Sequence, residues 1–367
     1  MGRLPHAALL LFLGFSTTQA QDTKQFILAA HRAGTVDLID SETLTTVARI
    51  HFDLPPRTSG LNGVSATADG STLYVEGAVP PNPGCCGIYT VDLATMKTGT
   101  TTIEEKFSRK NSPLIFSGGL VYPASTLMPG GPTNDFTIAS RNARLLLSPD
   151  GRWLFGIRSF RGPALETFDL KNGAAFRELT PPSQDGSGSN WAHGVWSGDR
   201  FYFYAANGTA GGRLWTVSPG TEQLGSGVDV AAFGDAPGCR QRAPVVRALT
   251  AAGGNLFVYE PFGGKSDRSS GCSTELTGGA WVVNTATGQL TKQIASGFHF
   301  NRIIADRLGS EIYGLDPGNT NWTGPVRLVR MNARDGSVLK SRTLDPGVCT
   351  IATAPLRSPP AGDVHVQ

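Results

Sequence analysis

The sequence predicts an all-β fold, a single β-propeller of four-stranded antiparallel blades, from three observations. Glycine and proline supply 46 and 24 of the 367 residues, a turn density above the roughly 12% of average usage. A short β-rich segment recurs along the chain, and most copies are followed by a strand ending in Asp or Asn at a second turn. With 17% charged and 40% hydrophobic residues and a formal net charge of +3, the composition disfavours a charge-rich helical bundle, a disordered chain and an electrostatic nucleic-acid binder.

Residues 1–20 stand apart from that fold. Arg3 provides a positive start, Ala7 to Phe15 is a nine-residue apolar core, and Thr18-Gln19-Ala20 is a small-residue cleavage site. This pattern reads as a secretory signal peptide, since nine apolar residues are too few to span a bilayer and no later run approaches the ~18 that a spanning helix needs. The expected mature chain, 21–367, is one propeller domain, periplasmic or secreted, in an oxidising compartment and without a membrane span.

The repeats define the blades. The recurring segment begins at Phe26, Leu73, Leu120, Leu154, Phe201, Leu256 and Ile312, at spacings of 47, 47, 34, 47, 55 and 56 residues. Before five of these stand tight-turn triplets: Ala68-Asp69-Gly70, Pro149-Asp150-Gly151, Ser197-Gly198-Asp199, Ala252-Gly253-Gly254 and Leu308-Gly309-Ser310. After most copies comes VDLIDSETL, IYTVDLATM, LETFDLKNG, WVVNTATGQ or LVRMNARDG. The Asp or Asn there opens a turn by bonding the backbone two residues on. Four strands per repeat make a propeller blade. The first copy begins at a second strand, and Val348 to Ala354 remains over, so the C-terminal strand is expected to complete the first blade and close the ring. Seven blades are expected, the third degenerate between Phe107 and Asn142, where one strand at Leu120 is followed by Pro/Gly-rich sequence. The alternative is six blades with a long insertion.

Blade topology places the candidate site. Loops joining second to third strands, and fourth strands to the next blade, share one face, and here they include the long stretches Ala78 to Gly87, Pro181 to Asn190, Ala232 to Arg242, Pro261 to Gly279 and Asp316 to Pro325. Long loops on a rigid scaffold carry binding chemistry. At that end of the innermost strands the repeats put Asn62, Arg144 with Arg141, His193, Arg247 with Arg242, and His299, Asn301 and Arg302. Unpaired cations are costly to bury, so this mouth must be wet, paired with acids, or filled by an anion or partner. Glu76, Glu260 and Asp316, at the ends of second strands, are the available acids. An internal ion-pair network and a ligand or partner site both satisfy the pattern.

Five cysteines allow two disulfides and one thiol. Cys239 and Cys272 fall on one face of the same blade, and a bridge between them would close a loop of about 34 residues, worth roughly 4 kcal/mol on the chain-entropy model. Cys85 and Cys86 are adjacent. They could form a strained vicinal disulfide, or one could pair with Cys349, or both could remain thiols. Phosphate-loop, G-x-S-x-G and H-E-x-x-H signatures are missing: Gly263 to Ser266 lacks the leading glycine, and Ser337 to Lys340 matches S-x-x-K only on a blade turn. No metal site is expected, because a metal would require His31, His193 and His299 to meet across the channel. Asn207 and Asn321 begin glycosylation sequons.

The words LLLSPDGRWLFGIRSF, ETFDLKNGAAFREL, GGAWVVNTATGQLTKQI, LVRMNARDGSVLKSRTL and VCTIATAPL resemble the heavy subunit of periplasmic amine dehydrogenases, and the broader group of bacterial propellers with YVTN-type repeats. These are chiefly blade-building words, so they speak to fold before activity. The resemblance implies a scaffold subunit with no cofactor in this chain, a tryptophan-derived quinone on a separate small catalytic subunit, and docking of an electron acceptor protein. Two functions follow from the sequence. One is an exported propeller of this heavy-chain type that holds a partner protein or small ligand at the channel mouth. The other is a stand-alone hydrolase or lactonase, with Arg144, Arg247 and Arg302 holding an oxyanion or carboxylate and His193, His299 or Glu260 activating water.

Overall fold

The computed structural model describes residues 24–54, 60–67, 70–79, 82–102, 106–107, 114–117, 120–123, 136–137, 144–148, 152–158, 164–169, 175–181, 191–207, 211–221, 223–230, 248–259, 279–306, 308–318, 325–356 and 360–366. Among the described residues every regular element is a β-strand. Lys24–His31 (β1), Thr35–Asp40 (β2) and Thr46–Phe52 (β3) are joined as antiparallel hairpins. Leu61–Ala66 (β4), Thr72–Val79 (β5), Asn82–Asp92 (β6) and Thr98–Thr102 (β7) form the next sheet. Lys106–Phe107 (β8), Leu114–Ser117 (β9), Leu120–Pro123 (β10) and Phe136–Thr137 (β11) follow as two short pairs, β8 with β11 and β9 with β10.

Four further strands, Arg144–Leu147 (β12), Trp153–Arg158 (β13), Ala164–Asp169 (β14) and Ala175–Leu179 (β15), pair in chain order. The same up-and-down order repeats in Trp191–Ser197 (β16), Arg200–Asn207 (β17), Gly211–Val217 (β18) and Val228–Val230 (β19), then in Ala248–Ala252 (β20), Asn255–Tyr259 (β21), Ala280–Val283 (β22) and Leu290–Ile294 (β23). Arg302–Ala305 (β24), Glu311–Asp316 (β25), Val326–Asn332 (β26) and Val338–Leu344 (β27) complete the series. Val348–Leu356 (β28) pairs antiparallel with the free edge of β1, from Lys24↔Leu356 to His31↔Val348. Gly362–Val366 (β29) adds to the opposite edge, parallel to β3. The sequence reading contains no such fifth strand.

Lateral neighbours of the first strands run β28 beside β4, β4 beside β10, β9 beside β12, β12 beside β16, β16 beside β20, β20 beside β24, and β24 beside β28. Apolar seams join the first sheet to the second and to the last, and join each of the four sheets from β12 to β27 to the next. Ile27, Ala29 and Ile351 meet Tyr313, Leu315 and Leu328. Leu28, Leu38 and Ala352 meet Val64, Leu73 and Val75. Phe155, Phe201 and Trp196 make an aromatic knot with ring centroids 4.7–5.0 Å apart. Successive side chains of a strand point to opposite faces, so one strand feeds two seams. That is why the recurring segments are continuously apolar rather than alternating.

The turns behave as their residues dictate. Asp40 Oδ1 accepts from Glu42 N and Thr43 N at 3.0 and 2.8 Å, and Asp92 Oδ1 from Ala94 N and Thr95 N at the same distances. Asn284 does likewise, and Asn332 Oδ1 accepts from Arg334 N at 2.8 Å. In each copy the residue four positions on has positive φ: Leu44 at 55°, Met96 at 56°, Gly288 at 70° and Gly336 at 72°. Its N–H closes the turn on the carbonyl of the Asp or Asn, at 2.7–2.8 Å.

Three sequence expectations change. The pairing of Cys349 with Cys85 or Cys86 does not form: Cys349 is a free thiol whose Sγ–H lies 3.3 Å from Ala30 O and 3.1 Å from Leu61 O. Asp316 is not available to the channel cations. It is fully buried, paired with Arg327, and accepts from Gly318 N at 2.9 Å. The third repeat holds two short pairs where a single strand is expected. Cys239 and Cys272 lie outside the described residues, as do the side chains of Cys85 and Cys86.

The first and last sheets are also linked by charge. Asp37 is buried and receives His31 Nε2 at 3.0 Å and Arg49 Nε at 2.6 Å, and Arg49 also reaches Asp345 at 2.5 Å. Burial pushes the Asp37 carboxyl up, but hydrogen bonds from His31 and Arg49 outweigh it and hold the group at about 2. Asp40, paired with Lys24, is likewise held at about 2 against burial, by hydrogen bonds from Lys24 and Thr43.

Two predictions follow from turns and pairs. Asp92→Ala removes the bonds to Ala94 N, Thr95 N and Thr95 Oγ1 and should lower the denaturant midpoint of unfolding slightly without changing its slope. Asp37 and Asp40 have folded values below the ordinary 3.8, so their contribution is present above that value and lost as pH falls through about 2. Unfolding curves between pH 5 and 2 should therefore be less steeply pH-dependent in Asp37→Asn than in wild type.

Candidate functional site at the channel mouth

The starts of β24, β28 and β4 lie side by side, and two contacts fix their relative height. Thr353 Oγ1–H donates to Ala305 O at 3.0 Å, which sets Thr350 level with Arg302 and Cys349 level with Asn301. Cys349 Sγ–H to Leu61 O brings the start of β4 to the same height. Gly60 lets the chain enter β4 here: its φ is +80°, and a Cβ on it would stand 2.1 Å from Arg32 O. Only glycine combines that angle with that approach. Arg32, just beyond β1, is anchored by its own N–H to Gly347 O at 3.0 Å.

Around the Cys349 thiol three charges gather: Arg32 and Arg302, which favour its ionisation, and Glu76, which opposes it. Burial dominates and pushes the thiol up to about 11, so it is a neutral group and no nucleophile at pH 7. Glu76, on β5 opposite Gly63, is partly buried, and burial alone raises its carboxyl to about 7. Among the described residues it makes no hydrogen bond or ion pair. At the starts of β24 and β28 two buried polar atoms, Asn301 Oδ1 and Thr350 Oγ1, lack a hydrogen-bond partner. Natural interiors leave few such groups, and here two fall at the starts of neighbouring strands.

The structure brings together Asn301, Arg302 and Glu76 from the sequence-derived set and adds Arg32, Thr350 and Cys349. His299 is exposed in the turn before β24, between Phe298 and Phe300, whose rings stack at 5.8 Å. Arg327 lies over the Phe298 ring at 4.7 Å. His193 is buried on β16 opposite Tyr204. His31 is engaged by Asp37, and among the described residues no three His, Cys, Asp or Glu side chains could hold a metal. Asn62 stands at the bulge of β4 and Arg144 opens β12, with side chains outside the described residues. Arg141, Arg242, Arg247 and Glu260 lie outside them altogether. Arg32 and Thr350 carry no motif. Their signal in the sequence is positional, one at the end of a second strand and one at the start of the closing strand.

No known family matches the sequence, and no curated protein is a significant match. Solved structures do match the fold. A chain from a study of two prolyl endopeptidases aligns with TM-score 0.51 at 12% identity, over 90% of this chain and 50% of its own length. The dihydro-heme d1 dehydrogenase NirN, in complex with DHE, aligns with TM-score 0.49 at 14% identity over 89% of this chain and 76% of NirN. TolB from Acinetobacter baumannii gives 0.44 and 14% over 91% of this chain and 67% of that one. Thus this chain spans half the length of the prolyl endopeptidase. With the up-and-down sheets above, the alignment identifies a β-propeller. At these identities it defines the fold alone. No helix among the described residues is long and apolar enough to cross a membrane.

The raised Glu76 value gives a signed prediction. From pH 4.5 to about 7 the folded state holds a proton that the unfolded state releases, so wild-type stability falls across that window. Glu76→Gln should match wild type below pH 4.5 and be more stable above pH 7, by on the order of 2 kcal/mol, measured by urea unfolding at pH 4 and pH 8.

Proposed function

We propose that this chain is an exported binding propeller, periplasmic or secreted, whose channel mouth holds a partner protein or a small ligand. The carrying observation is Glu76, a partly buried carboxylate with no hydrogen bond or ion pair among the described residues, which costs stability and is therefore what a functional site retains. The N-terminal pattern of Arg3, the apolar core to Phe15 and Ala20 supports export. Lateral order of the inner strands, with the two short pairs between β7 and β12, supports seven blades with a reduced third, in one domain closed by β28. The resemblance to amine dehydrogenase heavy subunits supports a scaffold role. In that case the catalytic quinone resides on a small partner subunit, an electron acceptor protein docks on the complex, and this chain carries no cofactor.

A second reading is favoured by the same carboxylate. A group titrating near 7 is suited to general-base work, so Glu76 would activate water in an ester or lactone hydrolase, with Arg302 facing the developing oxyanion. In this reading Glu76 takes the part that sequence analysis gives to Glu260 or the histidines.

The test is purification of the mature chain from its host's exported fraction, with mass on a sizing column and a visible spectrum. A co-eluting small chain with a quinone band is the expected result for the heavy-subunit role; a colourless single chain directs the search to small ligands and to lactone turnover. Arg302→Ala and His299→Ala should melt close to wild type and lose partner or ligand. Variants that melt lower while still binding would overturn the site.

A further inference from the structure

Two of the outer strands are alike in detail. β3 and β27 each run seven residues, where β7, β15 and β23 have five and β19 has three. Both follow a turn closed by the same two bonds, at 2.9 and 2.8 Å: Asp40 N–H to Thr45 O and Leu44 N–H to Asp40 O in one, Asn332 N–H to Ser337 O and Gly336 N–H to Asn332 O in the other. Both then carry one extra residue opposite the preceding strand, Val47 in β3 and Leu339 in β27. β23 has the same bulge at Thr291 but ends three residues later. Residues 48–52 and 340–344 are therefore equivalent stretches of edge. The first is covered by β29, paired from Gly362↔Ala48 to Val366↔Phe52. Among the described residues no strand covers the second.

The open edge offers backbone groups, apolar surface and a cation. Phe52 N–H bonds inward, to Gly34 O at 2.8 Å, and backbone direction alternates along a strand, so residues 49 and 51 turn their polar groups out to β29. By the same count Ser341 and Thr343 present theirs at the edge of β27. Natural sheets blunt exposed edges with lysines and bulges, and β27 has both, yet the bulge in β3 leaves β29 free to pair just beyond it. Among the described residues the large apolar side chains that stand exposed are Leu308, Val338 and Leu339, all on the last sheet and two of them opening β27. Lys340 is exposed beside them. Arg342, the other cation of the strand, donates to Leu44 O at 2.5 Å, and β27 contains no acid. On β3 the covering strand sets an acid, Asp363, opposite Arg49 and follows it with Val364.

We propose that the outer edge of β27 receives an extended segment of a partner protein, with acidic and apolar residues alternating, which adds as a fifth strand along Lys340–Leu344 as β29 does along Ala48–Phe52. In strand addition the backbone bonds supply affinity and the alternate side chains supply selectivity. Here an acid meets Lys340 and an apolar residue covers Leu339. The surface uses no residue of the channel mouth, so it holds or fails independently of the function proposed there.

The test is fluorescence anisotropy of the mature chain with three labelled octapeptides: alternating glutamate and valine, the same peptide with all its peptide nitrogens methylated, and alternating lysine and valine. The glutamate–valine peptide should bind most tightly, and the other two about tenfold more weakly or worse. Ser341→Pro removes one outward N–H and should weaken the glutamate–valine peptide about tenfold, with melting close to wild type. Lys340→Glu leaves the backbone intact and should reverse the preference between the two charged peptides; it decides the matter if the proline variant melts low. Equal binding of the methylated peptide overturns strand addition. A lysine–valine peptide that binds as well as glutamate–valine overturns the acidic partner. Binding unchanged in both variants overturns the placement on β27, and silence from all three peptides overturns the surface.

Discussion

Everything in this molecule depends on how sheet edges are covered. A stack of four-stranded sheets buries its faces readily, but each sheet still has two edges of unpaired backbone groups. The most demanding case is the first sheet, which begins with a second-position strand. Its inner edge is covered by β28, over a register running from Lys24↔Leu356 to His31↔Val348. With that strand in place, Ile27 and Ala29 pack toward the last sheet and Leu28 toward the second. The ion pairs of Arg49 with Asp37 and Asp345, and the reach of Arg330 and Arg342 to the Glu42 and Leu44 carbonyls, then add lateral ties across the same seam.

The site is a by-product of that arrangement. Where β24, β28 and β4 begin side by side, backbone carbonyls crowd together, and a small thiol and a glycine fill the space. The same geometry that seals the interior thus withdraws Glu76 from water, with no ion pair to it among the described residues. Its raised titration, the orphaned Asn301 and Thr350 oxygens, and the nearby guanidinium groups are local results of one crowded junction.

Much of the fold was legible because its causes are local. Turn triplets such as Ala252-Gly253-Gly254 and the Asp or Asn at positions 40, 92, 284 and 332 act through their own backbone, so sequence reveals them directly. Leu44 and Met96 show the limit: they adopt the left-handed angle that glycine takes at 288 and 336, because packing and the turn bond outweigh the residue's preference. Strand β29 escaped notice because a run as short as GDVHV acquires meaning only beside β3, more than 300 residues away. At the mouth, strand position sufficed to place Asn301, Arg302 and Glu76 near one another. Which carboxylate is paired, however, is a tertiary property, and so Asp316 and Glu76 looked equivalent in sequence while one is held by Arg327 and the other is not.

The first sheet has a consequence for the timing of synthesis. Strands β1, β2 and β3 are made some 300 residues before β28, which flanks them on one side, and β29, which flanks them on the other. Bringing segments some 300 residues apart together costs about 5 kcal/mol in loop closure, repaid only once the late strands arrive. Until then the earliest hairpins have two bare edges, and the growing chain cannot settle its own beginning. Strands made some 300 residues later therefore decide when the first sheet becomes native.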